Sequence, residues 1–211
     1  MNKVRKIHLF LLLVVAAVFI WSAIKPASYL TWLLEVSPAV VGLIIVIATY
    51  NKFRFTTLSY IIMTILAIIM FVGGHYTYSK VPLFNWIKDA WHLERNHYDR
   101  FGHLLKGLFV IVLREILLRK TPLTKGSWLF TIATSMSLAI AALYEIIEWL
   151  AFKIGSKIGK EGNATKNFLG TQGDIWDAQW DMLCALVGSV VAWLIFSKLH
   201  NRLLQKEGIK E

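Results

Sequence analysis

The sequence predicts an all-α fold, a polytopic membrane helix bundle of about six transmembrane helices with both termini on the inner side (N-in/C-in). Of the 211 residues, 56% are hydrophobic, and the mean hydropathy is +0.55. The apolar residues fall into runs of roughly the 17 to 25 residues that a helix needs to cross the hydrocarbon core. Nine Trp and seven Tyr suit a chain that meets two membrane–water interfaces. We expect one integral membrane domain over residues 1–211.

Six apolar runs supply the predicted spans. The first follows a basic N-terminus and is predicted to be a retained helix rather than a signal peptide. It is long enough to span, and it continues into Lys25 and Pro26 without a small-residue cleavage pattern. The fourth is the most polar, because Lys106, Arg114 and Glu115 interrupt it. The predicted spans are 7–24, 30–50, 56–75, 101–118, 128–151 and 176–197.

The basic residues give the orientation. With the N-terminus inside, the inner segments carry thirteen Lys and Arg residues and the outer segments carry nine, in keeping with the enrichment of basic residues in inner loops. Ten of the thirteen Asp and Glu residues then fall on the outer side. Acidic residues contribute little to insertion, so this asymmetry indicates a functional face.

The net charge of +10 does not indicate nucleic-acid binding. The Lys and Arg residues are scattered through short loops between apolar runs, where they orient spans or attract anionic lipid headgroups. We therefore expect membrane lipid as a partner and no nucleic acid, while protein partners stay undetermined. The single cysteine, Cys184, excludes an internal disulfide and suits a small buried hydrophobe.

Two long outer loops differ in character. Residues 80–98 place Phe84, Ile87 and Trp91 at helical spacing with charges between them, which predicts a short helix lying in the interface. Residues 153–173 are rich in Gly and Lys and are predicted to be mobile.

Ionisable pairs stand at the outer ends of two predicted spans. Asp99 and His103 are four residues apart, so they share one helix face, which Lys106 continues inward. Glu145 and Glu148 are three residues apart, and two carboxylates on one face are costly to expose to lipid. The glutamates should therefore face the bundle interior or a wet cavity.

A third group lies in LGTQGDIWDAQWDM, at the start of the sixth span. Asp174, Asp177 and Asp181 form one helical stripe, and three like charges on a stripe repel unless a cation, histidines or shared protons compensate. His75, in GGHYTY at the outer end of the third span, adds a potential ligand from a fourth helix.

Histidines and carboxylates from four helix ends are thus predicted to converge on one membrane face. A divalent-metal site and a metal-free set of paired acids and bases both fit this pattern. The metal site is favoured because it alone neutralises so many carboxylates at once, but the sequence does not identify the metal. The candidate catalytic residues are Asp99, His103, Glu145, Glu148, Asp177 and Asp181. The candidate metal ligands are His75, His103, Glu145, Glu148, Asp177 and Asp181.

Three functions are compatible with these residues. The first is a membrane-embedded enzyme that acts on a lipid or lipid-linked substrate from the outer face, with Lys106 or Lys153 meeting an anionic headgroup. The second is a small transporter or proton and cation pathway, although such sites usually lie near the bilayer midplane between repeats and this chain shows no repeat. The third is a non-catalytic module held together by buried ion pairs.

Four segments carry a resemblance to a known family. GGHYTY, RNHYDRFGHLLKG, YEIIEW and LGTQGDIWDAQWDM resemble the YjdF-like family of bacterial inner-membrane proteins, most strongly over residues 70–197. The resemblance implies a multi-pass protein of the bacterial cytoplasmic (inner) membrane and implies no activity.

A more distant similarity is to the VanZ-like membrane proteins associated with glycopeptide resistance. These pair an Asp-x-x-x-His with a later Glu and a later Asp, and those places are taken here by Asp99, His103, Glu145 and Asp177 or Asp181. No Gln follows Glu145 or Glu148 at close spacing, and the Arg expected before the last Asp is missing. The similarity is therefore interpreted as shared architecture only.

Overall fold

The structure is a computed structural model that describes residues 3–158 and 162–208, and these residues form α-helices without a β-strand. The all-α prediction is therefore confirmed. A 3-10 turn over Tyr78–Lys80 joins α3 to α4. The helices are α1 (Lys3–Ala23), α2 (Tyr29–Thr49), α3 (Thr57–Tyr76), α4 (Pro82–Ala90), α5 (Tyr98–Lys106), α6 (Phe109–Lys120), α7 (Ser127–Ile158), α8 (Gly162–Leu169) and α9 (Asp177–Lys206).

Five of the described helices, α1, α2, α3, α7 and α9, are long and apolar enough to cross a membrane. They correspond to predicted spans one, two, three, five and six, with α7 and α9 extending several residues beyond the predicted ends. Large apolar side chains on these helices are exposed, among them Phe10, Leu13, Ile44 and Leu194. Exposed apolar surface of this extent is the surface that lipid covers in a membrane protein.

The fourth predicted span, 101–118, corresponds to the two shorter helices α5 and α6. Gly107 and Leu108 lie between them and keep right-handed helical backbone angles. The hydrogen bonds tighten there, because the Leu108 N–H donates to Leu105 C=O and the Val110 N–H donates to Gly107 C=O. A 3-10 turn therefore connects α5 to α6, and neither half alone reaches the length of a span.

The α5–α6 pair runs alongside α9. Near one end, Asp99 and His103 lie next to Asp181. At the other end, the Arg114 guanidinium is 2.7 Å from His200 Nδ1. Asp181 and His200 are nineteen residues apart on α9, which is about 28 Å at the rise of an α-helix. The α5–α6 pair therefore extends along about 28 Å of α9.

Two glycines permit the close contact between α5–α6 and α9. A Cβ atom on Gly188 would lie 2.0 Å from the carbonyl oxygen of Leu104, and one on Gly107 would lie 2.4 Å from the amide nitrogen of Ser189. Small residues at a helix crossing let two backbones approach in this way. The position of α5 relative to α9 depends on both glycines.

An apolar core occupies the middle of the bundle between α3, α6, α7 and α9. Its fully buried residues include Val110, Ile111, Leu129, Ala133 and Ala192. A smaller core formed by Val15, Val36, Ala67 and Phe71 joins α1 and α2 to α3. Burial of these side chains is the main favourable contribution to packing away from lipid.

The two long connections, 80–98 and 153–173, both contain helical segments, and only the first was predicted to do so. The short helix expected within 80–98 is present as α4, where Leu83 and Trp86 are exposed and Phe84 packs 5.2 Å from the Tyr98 ring. Most of the described residues of the segment 153–173, which was predicted to be mobile, lie in helices. Helix α7 continues to Ile158, and α8 packs against it because Gly155 leaves space for the Thr165 side chain and Phe168 is buried.

Candidate functional site

Ionisable side chains from α2, α5, α7 and α9 meet in one buried place near the starts of α5 and α9, which we call the carboxylate chamber. The helix spacing sets the local arrangement, since residues three or four apart share one face. Lys106 and Tyr144 are half-buried in it and the Glu145 side chain is 9% exposed, while the other members are fully buried. The chamber comprises Glu35, Asp99, His103, Lys106, Tyr144, Glu145, Glu148 and Asp181.

His103 is at the centre of the chamber. Its Nε2 atom is 2.9 Å from Lys106 Nζ, 3.3 Å from Glu145 Oε1 and 3.7 Å from Asp99 Oδ1. One oxygen each from Asp99 and Asp181 and one His103 ring nitrogen lie within 4.8 Å of one another. A lysine ammonium can only donate, so the lone pair of Nε2 faces Lys106.

Glu35 and Glu148 extend the chamber. The Tyr144 hydroxyl donates to Glu35 Oε2 at 3.1 Å, and Lys106 Nζ lies 4.3 Å from the centre of the Tyr144 ring. Glu148 follows Glu145 by one turn of α7, and the charges of Glu145, Asp99 and Glu35 act on it electrostatically. Five carboxyl groups therefore share a buried space, and the positively charged side chain that lies against it is Lys106. Bound protons or a further cation must offset the remaining charge.

Several buried polar atoms of the chamber have no hydrogen-bond partner within the described part of the chain. They include Asp181 Oδ1 and Glu145 Oε1, as well as His103 Nδ1 and Tyr78 Oη, which adjoins the chamber. Buried polar atoms in folded proteins are nearly always satisfied. These atoms therefore indicate that the chamber holds a polar ligand, an ion or water.

Two ion pairs cover the chamber, and we call them the arginine cap. Arg95 donates to Asp177, and Arg100 donates to Asp174. The Trp176 backbone N–H also donates to Asp174, and this hydrogen bond, together with Arg100, lowers the pKa of the Asp174 carboxyl below its ordinary value. The cap joins the segment from Arg95 to Arg100, which leads into α5, to the segment from Asp174 to Asp177, which leads into α9.

A cleft of about 600 Å³ lies along the cap. Arg95, His97 and Arg100 line one side, and Gln172 and Ile175 line the other. Burial, with the charges of Arg100 and Arg95, lowers the pKa of His97, so this histidine is neutral near pH 7. Glu94 and Asp174 also line the cleft, so its charges are mixed. Ile175 is among the most exposed apolar side chains of the described residues, which places an apolar surface beside this polar cleft.

Most of the predicted site residues come together, but two do not. Asp99, His103, Glu145, Glu148 and Asp181 line the chamber, whereas Asp177 is held by Arg95 in the cap. His75 lies elsewhere, with Nδ1 3.1 Å from the Ser22 carbonyl oxygen and its ring stacked on Trp21. Its expected place among the metal ligands is therefore not supported, because its contacts fix it between α1 and α3.

Other residues of the site were not singled out from the sequence. Glu35 is the only charged residue of the second predicted span, a signal that could have identified it. Tyr144 directly precedes Glu145, but nothing in its spacing indicates a contact with Glu35. The pairing of Arg95 and Arg100 with Asp177 and Asp174 depends on how the segments before α5 and α9 fold against each other. Lys153, which the sequence suggested as a headgroup contact, is exposed on α7.

A second buried polar group lies at the opposite end of α9, and we call it the Glu115 network. Glu115, fully buried, accepts hydrogen bonds from Thr56, Ser59 and Arg119, and its Oε2 lies 3.1 Å from His200 Nε2. Both carboxylate oxygens therefore have partners, in contrast to Asp181. A satisfied network of this kind ties α3, α6 and α9 together.

These features define a polytopic α-helical membrane protein with a buried polar site. The chain belongs to the predicted membrane protein family DUF2238, whose model matches residues 7–202. It is 37% identical over 198 residues to the inner membrane protein YjdF of Escherichia coli (strain K12), and the match covers 93% of this chain and 92% of that relative. No solved structure matches the chain. The predicted family and the predicted location in the bacterial inner membrane are confirmed.

Proposed function

We propose that the chain crosses the inner membrane six times with both termini in the cytoplasm, so that the carboxylate chamber opens on the outer side. The contacts of α5–α6 along about 28 Å of α9 support the sixth crossing, because that length is close to the thickness of the hydrocarbon core. The excess of Lys and Arg on the cytoplasmic side supports the orientation.

The topology is tested by labelling of single cysteines in a Cys184→Ser background. Asp89 and Thr124 are exposed residues on the connections before and after α5–α6. A membrane-impermeant reagent applied to intact inner-membrane spheroplasts should label Asp89→Cys and should label Thr124→Cys only after lysis. Labelling of both positions, or of neither, in intact spheroplasts would contradict six crossings.

We further propose that the protein is a membrane-embedded enzyme that acts on a lipid or lipid-linked substrate from the outer face. The observation that carries this proposal is the unpartnered Asp181 Oδ1 beside His103 in a chamber of five buried carboxyl groups. Ionisable groups at membrane depth are costly and usually functional. His103 and Glu145, 3.3 Å apart, are close enough either to exchange a proton with a substrate group or to hold one metal ion together.

The surroundings of the chamber favour a lipid over a soluble substrate. Trp149, Leu150 and Ile154 are exposed at the end of α7, and Trp176 and Trp180 are exposed at the start of α9. Tryptophan at this depth is typical of the headgroup region. An acyl chain on this surface would present its headgroup to Arg95 and Arg100 in the cleft.

The test compares carboxamide variants in the bacterial host. Asp181→Asn and Glu145→Gln should reproduce the envelope-lipid profile of the gene deletion, measured by mass spectrometry, while membrane abundance stays at the wild-type level. Asp89→Asn is the matched control, because the Asp89 side chain is 73% exposed on α4. A wild-type profile in the Asp181→Asn strain would refute the proposal.

A proton or cation pathway would need polar groups across the whole bundle. Between the chamber and the Glu115 network, Val110, Ile111 and Ala192 are fully buried and apolar. The Ser137–Ser189 hydrogen bond is a polar contact near the middle of α9, but it touches neither group. This apolar layer favours an enzyme over a pathway, and ion flux into vesicles containing the purified protein would reverse that preference.

A further inference from the structure

We infer that Asp99, His103 and Asp181 bind one divalent transition-metal ion, that Glu145 is a fourth ligand, and that Lys106 takes the place of the ion in the metal-free protein. The inference deepens the proposed function, because it concerns the same chamber. Its test measures metal binding alone, so its outcome is independent of any activity.

The spacing of the donor atoms fits a metal ion. Ligands at roughly 2.1 Å from a tetrahedral ion are about 3.4 Å from each other. Glu145 Oε1 is 3.3 Å and Asp99 Oδ1 is 3.7 Å from His103 Nε2. The Asp181 ligand atom lies within 4.8 Å of those of His103 and Asp99.

An unpartnered atom points to the ion independently of the acidic composition. Asp181 is 1% exposed, and its Oδ1 has no hydrogen-bond partner among the described residues. Glu145 Oε1 is likewise buried and accepts no hydrogen bond. The Glu115 carboxylate shows that this fold satisfies a buried carboxylate fully where no ligand is needed.

Lys106 marks the position of the cation. Its ammonium is 2.9 Å from His103 Nε2 and 4.3 Å from the Tyr144 ring centre, so the Nε2 lone pair that would bind a metal is directed at a positive charge. Lysine has a flexible stem of four carbons, which lets the ammonium withdraw towards Tyr144. A dication would offset two of the five carboxylate charges, whereas Lys106 offsets one.

The donor set selects a class of metal. One imidazole nitrogen with two or three carboxylate oxygens suits Zn²⁺ or Mn²⁺, while Mg²⁺ and Ca²⁺ prefer oxygen donors alone. Cys184, the single thiol of the chain, lies outside the group formed by Asp99, His103 and Asp181. Glu145 also lies outside that group, and its 3.3 Å contact with His103 Nε2 is what supports it as a fourth ligand. The site is therefore expected to bind Zn²⁺ and Mn²⁺ and to discriminate against Ca²⁺.

The experiment titrates chelator-treated, detergent-purified protein with Zn²⁺ and, separately, with Mn²⁺, by calorimetry and by Mn²⁺ electron paramagnetic resonance. Wild type should bind one ion per chain. Asp181→Asn should weaken binding by at least about tenfold. Lys106→Met should strengthen it by a similar factor, because a competing cation is removed without loss of a ligand. Asp89→Asn should match wild type.

The variants keep the inference falsifiable. Size-exclusion profiles and thermal midpoints identify a variant that fails to fold, and Lys106→Met preserves every proposed ligand. Absence of binding in both wild type and Lys106→Met would overturn the inference, as would equal affinity in wild type and Asp181→Asn. Binding with no effect of Asp181→Asn on envelope lipids would uphold the metal site and reject the proposed enzyme.

Discussion

Substitution of Gly188 by Ala tests whether the backbone contact between α5 and α9 holds the bundle together. The added Cβ would lie 2.0 Å from the Leu104 carbonyl oxygen. Ordinary contact begins at 3.4 Å, so the two helices must separate by about 1.4 Å at this point. The obstructing atom belongs to the backbone of a helix, and it cannot move aside as a side chain would.

The expected loss of stability is the difference between two effects. Overpacking costs typically 1 to 3 kcal/mol, and a backbone clash of this size belongs at the upper end. Replacement of a helical Gly by Ala returns about 1 kcal/mol. The net loss of about 2 kcal/mol corresponds to a fall of roughly 4 to 8 °C in the thermal midpoint for a chain of this length.

The assay is thermal unfolding of purified protein in detergent, with Gly42→Ala as control. A Cβ on Gly42, in the middle of α2, would meet no atom within 4 Å, so Gly42→Ala should keep or slightly raise the midpoint. The Gly188→Ala separation should also move Asp181 away from His103 and weaken Zn²⁺ binding. Equal midpoints for Gly188→Ala and Gly42→Ala would refute the close contact.

Three further predictions concern the ends of the bundle. Glu115→Ala should lower the free energy of unfolding, measured by denaturant titration, by about 3 to 5 kcal/mol. The control variant Glu94→Ala, at an exposed position, should change it by less than about 0.5 kcal/mol. An equally small effect of Glu115→Ala would contradict the network. The pKa of Asp174 is lowered below its ordinary value of 3.8. The free energy of unfolding of wild type should therefore exceed that of Asp174→Asn above pH 3.8, and the difference should disappear as the pH falls through the lower pKa of the folded state. Disappearance of that gain well above 3.8 would contradict the ion pair with Arg100. Metal at a hundred times its Kd stabilises by about 2.7 kcal/mol, so chelation should lower the wild-type midpoint by roughly 5 to 11 °C and leave Asp181→Asn unchanged; an equal fall in both proteins would exclude Asp181 as a ligand.

Hydropathy was sufficient to predict the five long apolar helices, and helical spacing was sufficient to predict which ionisable residues share a helix face. Apolar runs identify α1, α2, α3, α7 and α9 because a lipid-facing helix must be apolar over most of its surface. Glu145 and Glu148 were predicted correctly to face the interior, since two carboxylates on one helix face are costly to expose to lipid. Asp99 and His103 were predicted correctly to share one helix face, because they are four residues apart.

The parts that the sequence could not predict depend on tertiary contacts. The break at Gly107–Leu108 lies where α5–α6 approaches α9 most closely among the described glycine contacts, together with Gly188. This contact between distant segments cannot be predicted from the local sequence. His75 stands at a helix end like the residues that line the chamber, but its ring stacks on Trp21 of another helix. The segment 153–173 has a loop-like composition, yet the burial of Phe168 against α7 favours a helix.

The Glu115 network joins parts of the chain that leave the ribosome at very different times. Thr56 precedes Glu115 by 59 residues, and His200 follows Glu115 by 85 residues. The carboxylate therefore gains its His200 contact only after the whole of α7 and most of α9 have been made. We expect a chain truncated before residue 200 to leave Glu115 with fewer partners and to be degraded faster in the membrane than the full chain.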